Sequence, residues 1–276
     1  MTGDYNAWIG REDIAQDLVT PRLVQSWRAT MDYEGLSICD LPLGMHWGLA
    51  PVITPNRELA ADGHPHKGGF LPPIPLPRRM WAGGEVRFLG ELREGEAVER
   101  RSHIAAIEHK SGRSGELWFV TVAHTWSNAG GIVIDERQDI VYRDAAVGPA
   151  PGPARTVSER GDHCLEIECS SASLFRFSAL TFNSHRIHYD RTYAVEEEGY
   201  GGIVVHGPLQ AVVLMNFARQ VGGKGMPSVF SFRGVSPLLL GDPMTAHARH
   251  TASGLDLWMA SADGVKTMTA TAEWRP

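Results

Sequence analysis

Cysteine is scarce in this 276-residue chain. Cys39, Cys164 and Cys169 are an odd number with neither metal-binding nor redox spacing, so they read as reduced structural thiols rather than a disulfide framework. No apolar run is long enough to span a bilayer, and Met1-Thr-Gly-Asp-Tyr lacks the basic start and apolar core of a secretory signal. The cytoplasm is therefore the expected compartment, with no membrane involved. Positive charge is in deficit: 26 Lys and Arg against 32 Asp and Glu give a net charge of −6. That balance argues against nucleic acid or an anionic membrane surface as a partner, and an anionic ligand would need a local cluster of arginines. The pairs Gly68-Gly69 and Gly201-Gly202 have neither the Gly-Lys-Ser/Thr ending of a phosphate loop nor dinucleotide spacing, and read as turns.

What is present is ample apolar material, 43% of the residues, enough for one large domain or two ordinary ones. Residues 11 to 31 read as two helical pieces joined at Thr20-Pro21, where Thr caps and Pro takes the first helical position. Leu23, Val24, Trp27 and Met31 share one face of the second piece. From Glu85 to Asp144 the pattern turns to strands: Val86 to Phe88, Ile104 to Ile107, a turn at Lys110 to Arg113, Leu117 to Trp126, and Ile132 to Tyr142. Residues 145 to 156, rich in Pro, Gly and Ala without apolar periodicity, mark a linker. It divides an N-terminal half, 1–144, from a C-terminal half, 157–276.

The second half repeats the plan. Leu174 to Phe182 is read as an aromatic-rich strand, followed by a short helix that starts after Asp190 and stops at Gly199. A long helix runs from Gly207 to Gln220 with a core stripe of Leu209, Val212, Val213 and Phe217. Strands follow near Val229 to Arg233, Thr245 to Ala252, Leu255 to Ala260 and Thr267 to Trp274. Weak echoes suggest a degenerate duplication: Leu92 to Glu96 against Leu238 to Asp242 at a turn before a strand, and Trp126 against Trp274 at strand ends. The first half has no counterpart of the long helix, because four prolines among residues 72 to 77 exclude one. That extended segment leaves room along the sheet for a bulky ligand.

More polar groups crowd between Phe175 and Leu209 than a core needs. His185, Arg186, His188 and Asp190 lead into Val204-Val-His206-Gly207-Pro-Leu209, where a strand end meets a helix start. An imidazole beside a helix N-terminus suits acyl chemistry through an enolate. Adding water to an α,β-unsaturated thioester needs a base for the water, a proton donor for the α-carbon, and a donor to the enolate oxygen. Histidine serves the first two, since its unperturbed pKa is about 6.5. The backbone N–H of Gly207 serves the third, glycine allowing close approach.

The run Phe177-Ser-Ala-Leu-Thr-Phe-Asn-Ser-His-Arg-Ile-His-Tyr-Asp190, with Val204-Val-His-Gly-Pro-Leu209 and Phe232-Arg-Gly-Val-Ser-Pro237, resembles the MaoC-like double-hotdog hydratases and dehydratases of 3-hydroxyacyl thioesters. Within them it is similar to the mesaconyl-CoA or itaconyl-CoA hydratase type and to hydroxyacyl-thioester dehydratase type 2. Asp62-Gly-His-Pro65, the run Phe70 to Gly84, and Gln138 to Arg143 agree. The resemblance implies an α+β fold in which each half wraps an antiparallel sheet around a central helix, the N-terminal half being a degenerate, non-catalytic wall of the substrate pocket. It implies His188 as the catalytic histidine and puts Asn183 where relatives carry a catalytic aspartate. An amide takes up no proton, so Asn183 is left to orient water or the imidazole, and His188 acts alone or with help from His185.

The implied reaction is reversible hydration of an enoyl-CoA thioester, with a C5 dicarboxyl acyl group such as mesaconyl or itaconyl giving a citramalyl-type thioester. The alternatives are dehydration of 3-hydroxyacyl-ACP or -CoA in fatty acid synthesis, a thioesterase, and a non-catalytic acyl-thioester-binding module. A dicarboxyl substrate requires an arginine in the acyl pocket, and a fatty acyl chain an apolar tunnel along the proline-rich segment. Arg186, Arg78, Arg79 and Arg233 are candidates for anionic contacts, Arg186 equally for a salt bridge at the surface or between the halves. His206 is read as a cap on the helix or a support for the Asn183 loop. His64 and His66 with His185, His188 and Asp190 raise a metal site, but their spacing matches no metal signature. No metal and no cofactor beyond the substrate's own CoA is expected. A homodimer through sheet edges or helices is compatible with the fold.

Overall fold

The computed structural model describes residues 4–38, 41–112, 115–144 and 157–275. The expected linker, residues 145–156, lies outside the described residues, as do Cys39 and Arg113. The first half contains β1 (Glu12–Leu18), α1 (Pro21–Thr30), β2 (Arg78–Phe88), β3 (Ala97–Gly112), β4 (Gly115–Asn128) and β5 (Gly131–Arg143). The second contains β6 (His163–Ile167), α2 (Ser171–Thr181), α3 (Arg191–Glu196), α4 (Gly207–Gly222), β7 (Val229–Gly234), β8 (Met244–His250), β9 (Gly254–Ser261) and β10 (Lys266–Glu273).

The strands join in one ten-stranded sheet of order β1-β3-β4-β5-β2-β7-β10-β9-β8-β6. The order reads the same from both ends once β6 to β10 are matched to β1 to β5, so the duplication is real at the level of topology. The seam is the antiparallel pair β2 and β7, with Gly84 opposite Phe232 and Val86 opposite Phe230. The turns at Gly95 and Gly241, both in the left-handed region, precede the equivalent strands β3 and β8. The tryptophan echo does not hold: Trp126 lies in β4, whose counterpart is β9, whereas Trp274 follows β10.

α4 is the hub of the core. Its residues Leu209 to Ala218 are all buried, beyond the single stripe expected, because β7 to β10 cover one side and the N-terminal half covers another. Asn216 ties the helix to that cover, accepting from the Leu43 N–H at 3.2 Å and donating to the Leu43 carbonyl at 3.0 Å. No helix replaces α4 in the first half. There, the proline-rich segment lays Ile74 and Leu76 against Ile104, Val120, Val122 and Tyr142 as a separate small core, filling sheet surface that the sequence left open for a ligand.

Two expectations are corrected. Residues 12–18 form a strand, not a helix, because the backbone pairs with β3 from Glu12 opposite His103 to Leu18 opposite Ala97; tertiary pairing overrides a weak local preference. Leu174 to Phe182 is helix rather than strand. Ser170 caps α2 by accepting from the Ser173 N–H, Leu174 and Phe177 are buried at i, i+3 spacing, and Phe182 ends it in the left-handed region. The aromatic content that suggested a strand includes Phe175, which is exposed. The Thr20 cap and Pro21 start of α1 are as expected.

Among the described residues no helix is long and apolar enough to cross a membrane. Trp27, fully buried, meets the Phe177 ring edge to face at 5.5 Å and so joins α1 to α2. Trp27→Ala is expected to lower unfolding free energy by about 3–5 kcal/mol, measured by urea denaturation.

Candidate active site

Four imidazoles form a continuous row of ring contacts where the two halves meet. His64 lies 4.1 Å from His185, His185 lies 5.6 Å from His188, and His188 lies 3.6 Å from His206 with the last two rings nearly parallel, all between ring centroids. Three of these come from the expected segment, and His64 comes from the N-terminal half. His188 belongs to a short 3-10 turn, Arg186–His188, between α2 and α3. Its Nδ1 lies 2.7 Å from the Val204 carbonyl. A carbonyl only accepts, so Nδ1 carries the proton and Nε2 keeps the lone pair. Burial, with His185 and His64 opposing any added charge, pulls the His188 pKa down to about 3 and keeps the ring neutral.

Gly207, three residues after Val204, is the first residue of α4, so its N–H has no partner inside the helix. A side chain there would press on Trp81, which a Cβ would meet at 3.3 Å. Trp81 stacks on Phe232 at 4.5 Å and meets Trp47 edge to face at 5.4 Å, giving the helix start an aromatic wall. His206 has no capping bond, contrary to the cap expected of it. It is fully buried, pairs Nε2 with the Ser178 hydroxyl at 2.8 Å, and backs the His188 ring. Asn183 accepts from the His185 N–H at 3.0 Å, so its side chain shapes the turn that carries both histidines.

The second pair of histidines is braced by carboxylates. His185 Nε2 lies 2.9 Å from Glu198 Oε1, and His64 Nδ1 lies 2.9 Å from Asp62 Oδ2. Burial lowers the His64 pKa to about 4. Asp62 is held well below the usual carboxylate range: burial alone would raise it, and its hydrogen bond and charge interaction with His64 outweigh that.

The loop carrying this pair is clamped to the histidine turn. The Arg186 N–H donates to the Asp62 carbonyl at 2.9 Å, Arg186 Nη1 to the Ala61 carbonyl at 2.9 Å, and the Ser184 hydroxyl to the Gly63 carbonyl at 2.5 Å. Gly63 sits at φ +88°, where a side chain would collide with the Ser184 carbonyl, so glycine is required.

The arginines divide. Arg186 clamps the halves together, and it also bonds Asp190 at 2.8 Å and lies over the Tyr193 ring. Asp190 in turn caps α3 by accepting from the Tyr193 N–H. Arg78 borders the site, 3.9 Å from Glu198 and over the Tyr200 ring. Arg233 lies away from the four histidines: it is exposed and alternates with the core-facing Phe230 and Phe232, so it points to the opposite face of the sheet. That face bears an open groove of about 1050 Å³ that contains none of these four histidines.

Asp62, His64 and His185 each bring one ligand atom within 4.8 Å of the others, the one such group among the described residues. In the hydrogen-bonded arrangement His64 Nδ1 and Asp62 already satisfy each other, and the positive charge of Arg79 acts on both. These features favour a proton network over a cation. His66 and Asp190 are not part of the group.

Glu198 and Trp81 were not anticipated as site residues. Glu198 ends the run Glu196-Glu197-Glu198, which resembles a solvated charge run, and nothing in its spacing marks it. Trp81 lay within a motif that carried the family resemblance, but without an assigned role.

Residues 44–240 match the hydroxyacyl-thioester dehydratase type 2 family, and the chain belongs to it as a hydro-lyase of acyl thioesters. It is 42% identical over 276 residues to mesaconyl-C(4)-CoA hydratase of Chloroflexus aurantiacus, covering 99% of this chain and 98% of that one. It is 26% identical to the mitochondrial hydroxyacyl-thioester dehydratase type 2 of Schizosaccharomyces pombe, covering 83% of each. The fold is similar to a solved MaoC-like dehydratase from Phytophthora capsici, with TM-score 0.71, 12% identity, and 96% and 95% of the two chains covered. A double-hotdog protein of Mycobacterium tuberculosis matches with TM-score 0.56 and 13% identity over 96% of this chain and 95% of that one.

His188 and His64, like the buried His124 with a pKa of about 4, are neutral in the fold but gain a proton near pH 6.5 when unfolded. Between those values the unfolded chain binds more protons, so stability rises with pH. The expected outcome is a melting temperature, followed by calorimetry, that falls steadily from about pH 6.5 to about pH 4. His188→Asn should make that fall shallower.

Proposed function

We propose that the protein catalyses reversible hydration of a C5 dicarboxyl enoyl-CoA, mesaconyl-CoA or itaconyl-CoA, to a citramalyl-type thioester. The observation that carries this is the pairing of His188 with the start of α4. Val204 fixes the His188 tautomer with its lone pair on Nε2, and three residues later the Gly207 N–H has no helical partner. Water held at His188 Nε2 adds its oxygen to the β-carbon, the double-bond electrons move to the thioester oxygen, and the Gly207 N–H with the helix dipole stabilises that enolate. The α-carbon then takes the proton that the water gave up as its oxygen bonded. Asn183 keeps the histidine turn in shape.

The dicarboxyl preference rests on two supports. One is the relative named for mesaconyl-C(4)-CoA at 42% identity over nearly the whole of both chains. The other is positive charge beside the imidazoles: Arg79 acts on Asp62 and His64, and Arg78 borders Glu198. A long apolar tunnel along the proline-rich segment, which a fatty acyl chain would need, is disfavoured because Ile74 and Leu76 pack into the sheet there. Dehydration of a 3-hydroxyacyl thioester uses the same groups in reverse. Two copies would associate at the outer strands β1 and β6, each with one unpaired side.

The test is loss of the enoyl-thioester absorbance with mesaconyl-CoA, itaconyl-CoA and crotonyl-CoA, with free thiol assayed in parallel. Absorbance should fall fastest with a dicarboxyl substrate and without thiol release, and His188→Ala should lower kcat by at least about 100-fold. Thiol release from a saturated acyl-CoA would identify a thioesterase instead, and binding of CoA thioesters without turnover a binding module.

A further inference from the structure

Hydration moves one proton from water to the α-carbon, and an imidazole that carries it exists for a moment as a cation. His188 is poorly placed for that duty: its Nδ1–H rests on a neutral carbonyl in a buried setting. Asp190 gives it no help, being committed to capping α3 and to Arg186. Two neighbouring imidazoles do rest on carboxylates. Of these, His185 lies between the other rings with 8% of its side chain exposed, whereas His64 has 21% exposed and is the one open to a ligand. Asp62 on His64 Nδ1 fixes the proton there, turns the Nε2 lone pair outward, and stabilises the imidazolium, as a buried carboxylate does for a catalytic histidine in acyl transfer. The clamp from Ser184 and Arg186 to residues 61–63 holds this pair against the histidine turn.

We infer that Asp62 and His64, from the N-terminal half, form a second acid–base pair of this site. The inference rests on the hydration reading above. His188 Nε2 accepts a hydrogen bond from the water and orients it. His64 Nε2 takes the water's other proton as the oxygen bonds to the β-carbon and the double-bond electrons pass to the thioester oxygen at Gly207. The enolate then collapses, its α-carbon taking the proton from the His64 imidazolium and returning that ring to neutrality. The N-terminal half thereby contributes chemistry as well as a pocket wall.

The experiment compares wild type, His188→Ala, Asp62→Asn and His64→Gln with the enoyl-CoA that wild type hydrates best. Asp62→Asn and His64→Gln should each lower kcat by about 100-fold or more with KM changed less than about threefold. The groups facing His64 are Asp62, Arg79 and His185, with Lys67 near Asp62 and Glu198 behind His185. Of these Asp62 is the one that raises the His64 pKa by direct hydrogen bonding. The acid limb of kcat should therefore move to lower pH in Asp62→Asn and disappear in His64→Gln, which a purely structural role would not produce. Asp62→Asn keeps size and shape, so it decides the matter if His64→Gln does not fold. Exchange of the α-proton of the saturated substrate analogue in D₂O should survive His188→Ala and vanish in His64→Gln. Variants with kcat within threefold of wild type overturn the inference and leave the hydratase reading standing. A wild type that hydrates none of the enoyl-CoAs overturns both. Activity removed by a chelator and restored by zinc assigns the cluster to a metal and overturns the inference.

Discussion

The hydrogen bonds from Ser184 and Arg186 to the backbone of residues 61–63 are the constraint on which the site depends. They join the two halves at the point where the imidazoles meet, and they involve backbone carbonyls, which stay fixed when side chains change. Three such bonds converge on three consecutive residues. The left-handed Gly63 lets the loop turn close enough to make them. What permits the contact is the loss of a helix. A central helix in the first half, matching α4, would occupy the chain between α1 and β2. Freed from that duty, residues 33–38 and 41–50 cover α4, and residues 58–66 reach the histidine turn. The degeneracy of the first half is therefore a condition for the composite site.

Three of the four imidazoles in contact, His64, His188 and His206, have pKa values lowered by burial. Charging a histidine far from water is costly, so these rings stay neutral, and His64 and His188 each place one proton on a fixed acceptor. Asp62 and Val204 supply those acceptors, and Glu198 holds His185. The result is a set of lone pairs whose directions are determined by the fold. Preorganisation of that kind spares the reaction the cost of turning dipoles during the step itself.

Much of this was readable from sequence, for identifiable reasons. Strands β4, β5 and β7 to β10, together with α4, announce themselves by apolar period and by glycine punctuation. His188, Gly207 and their neighbours stand out because polar residues crowd a stretch that is otherwise apolar. α2 was misread because its aromatic content resembles a strand, although the capping serine and the Leu174 to Phe177 spacing favour a helix. β1 was misread because its signal lies in β3, some 80 residues away in the chain, and not in its own residues. The face on which Arg233 lies could not be read without knowing the register of β7, since a shift of one residue would turn it to the core face. Glu198 becomes part of the site only through the fold of α3, which returns the chain toward His185.

The same dependence explains a buried carboxylate far from the imidazoles. Glu136 in β5 is 2% exposed and accepts from Trp47 Nε1 at 2.9 Å and Gln138 Nε2 at 2.7 Å, with His46 Nε2 at 3.4 Å. Burial alone would raise its pKa, but the interactions with His46, His124 and Gln138 together outweigh burial and hold it below the usual value. An apolar residue would fill this position at lower cost, since a buried charge must have every partner in place. Its partners give the reason. Trp47 is pinned by that bond while its ring meets both Trp81 and Phe232, the aromatic wall beside Gly207. A tryptophan held only by apolar contact has several ways to pack, whereas one whose N–H must reach Glu136 has few. The polar network inside the first half thus fixes the shape of the surface that faces the start of α4, and the half without a central helix governs the site from both sides, through the clamp on the histidine turn and through this wall.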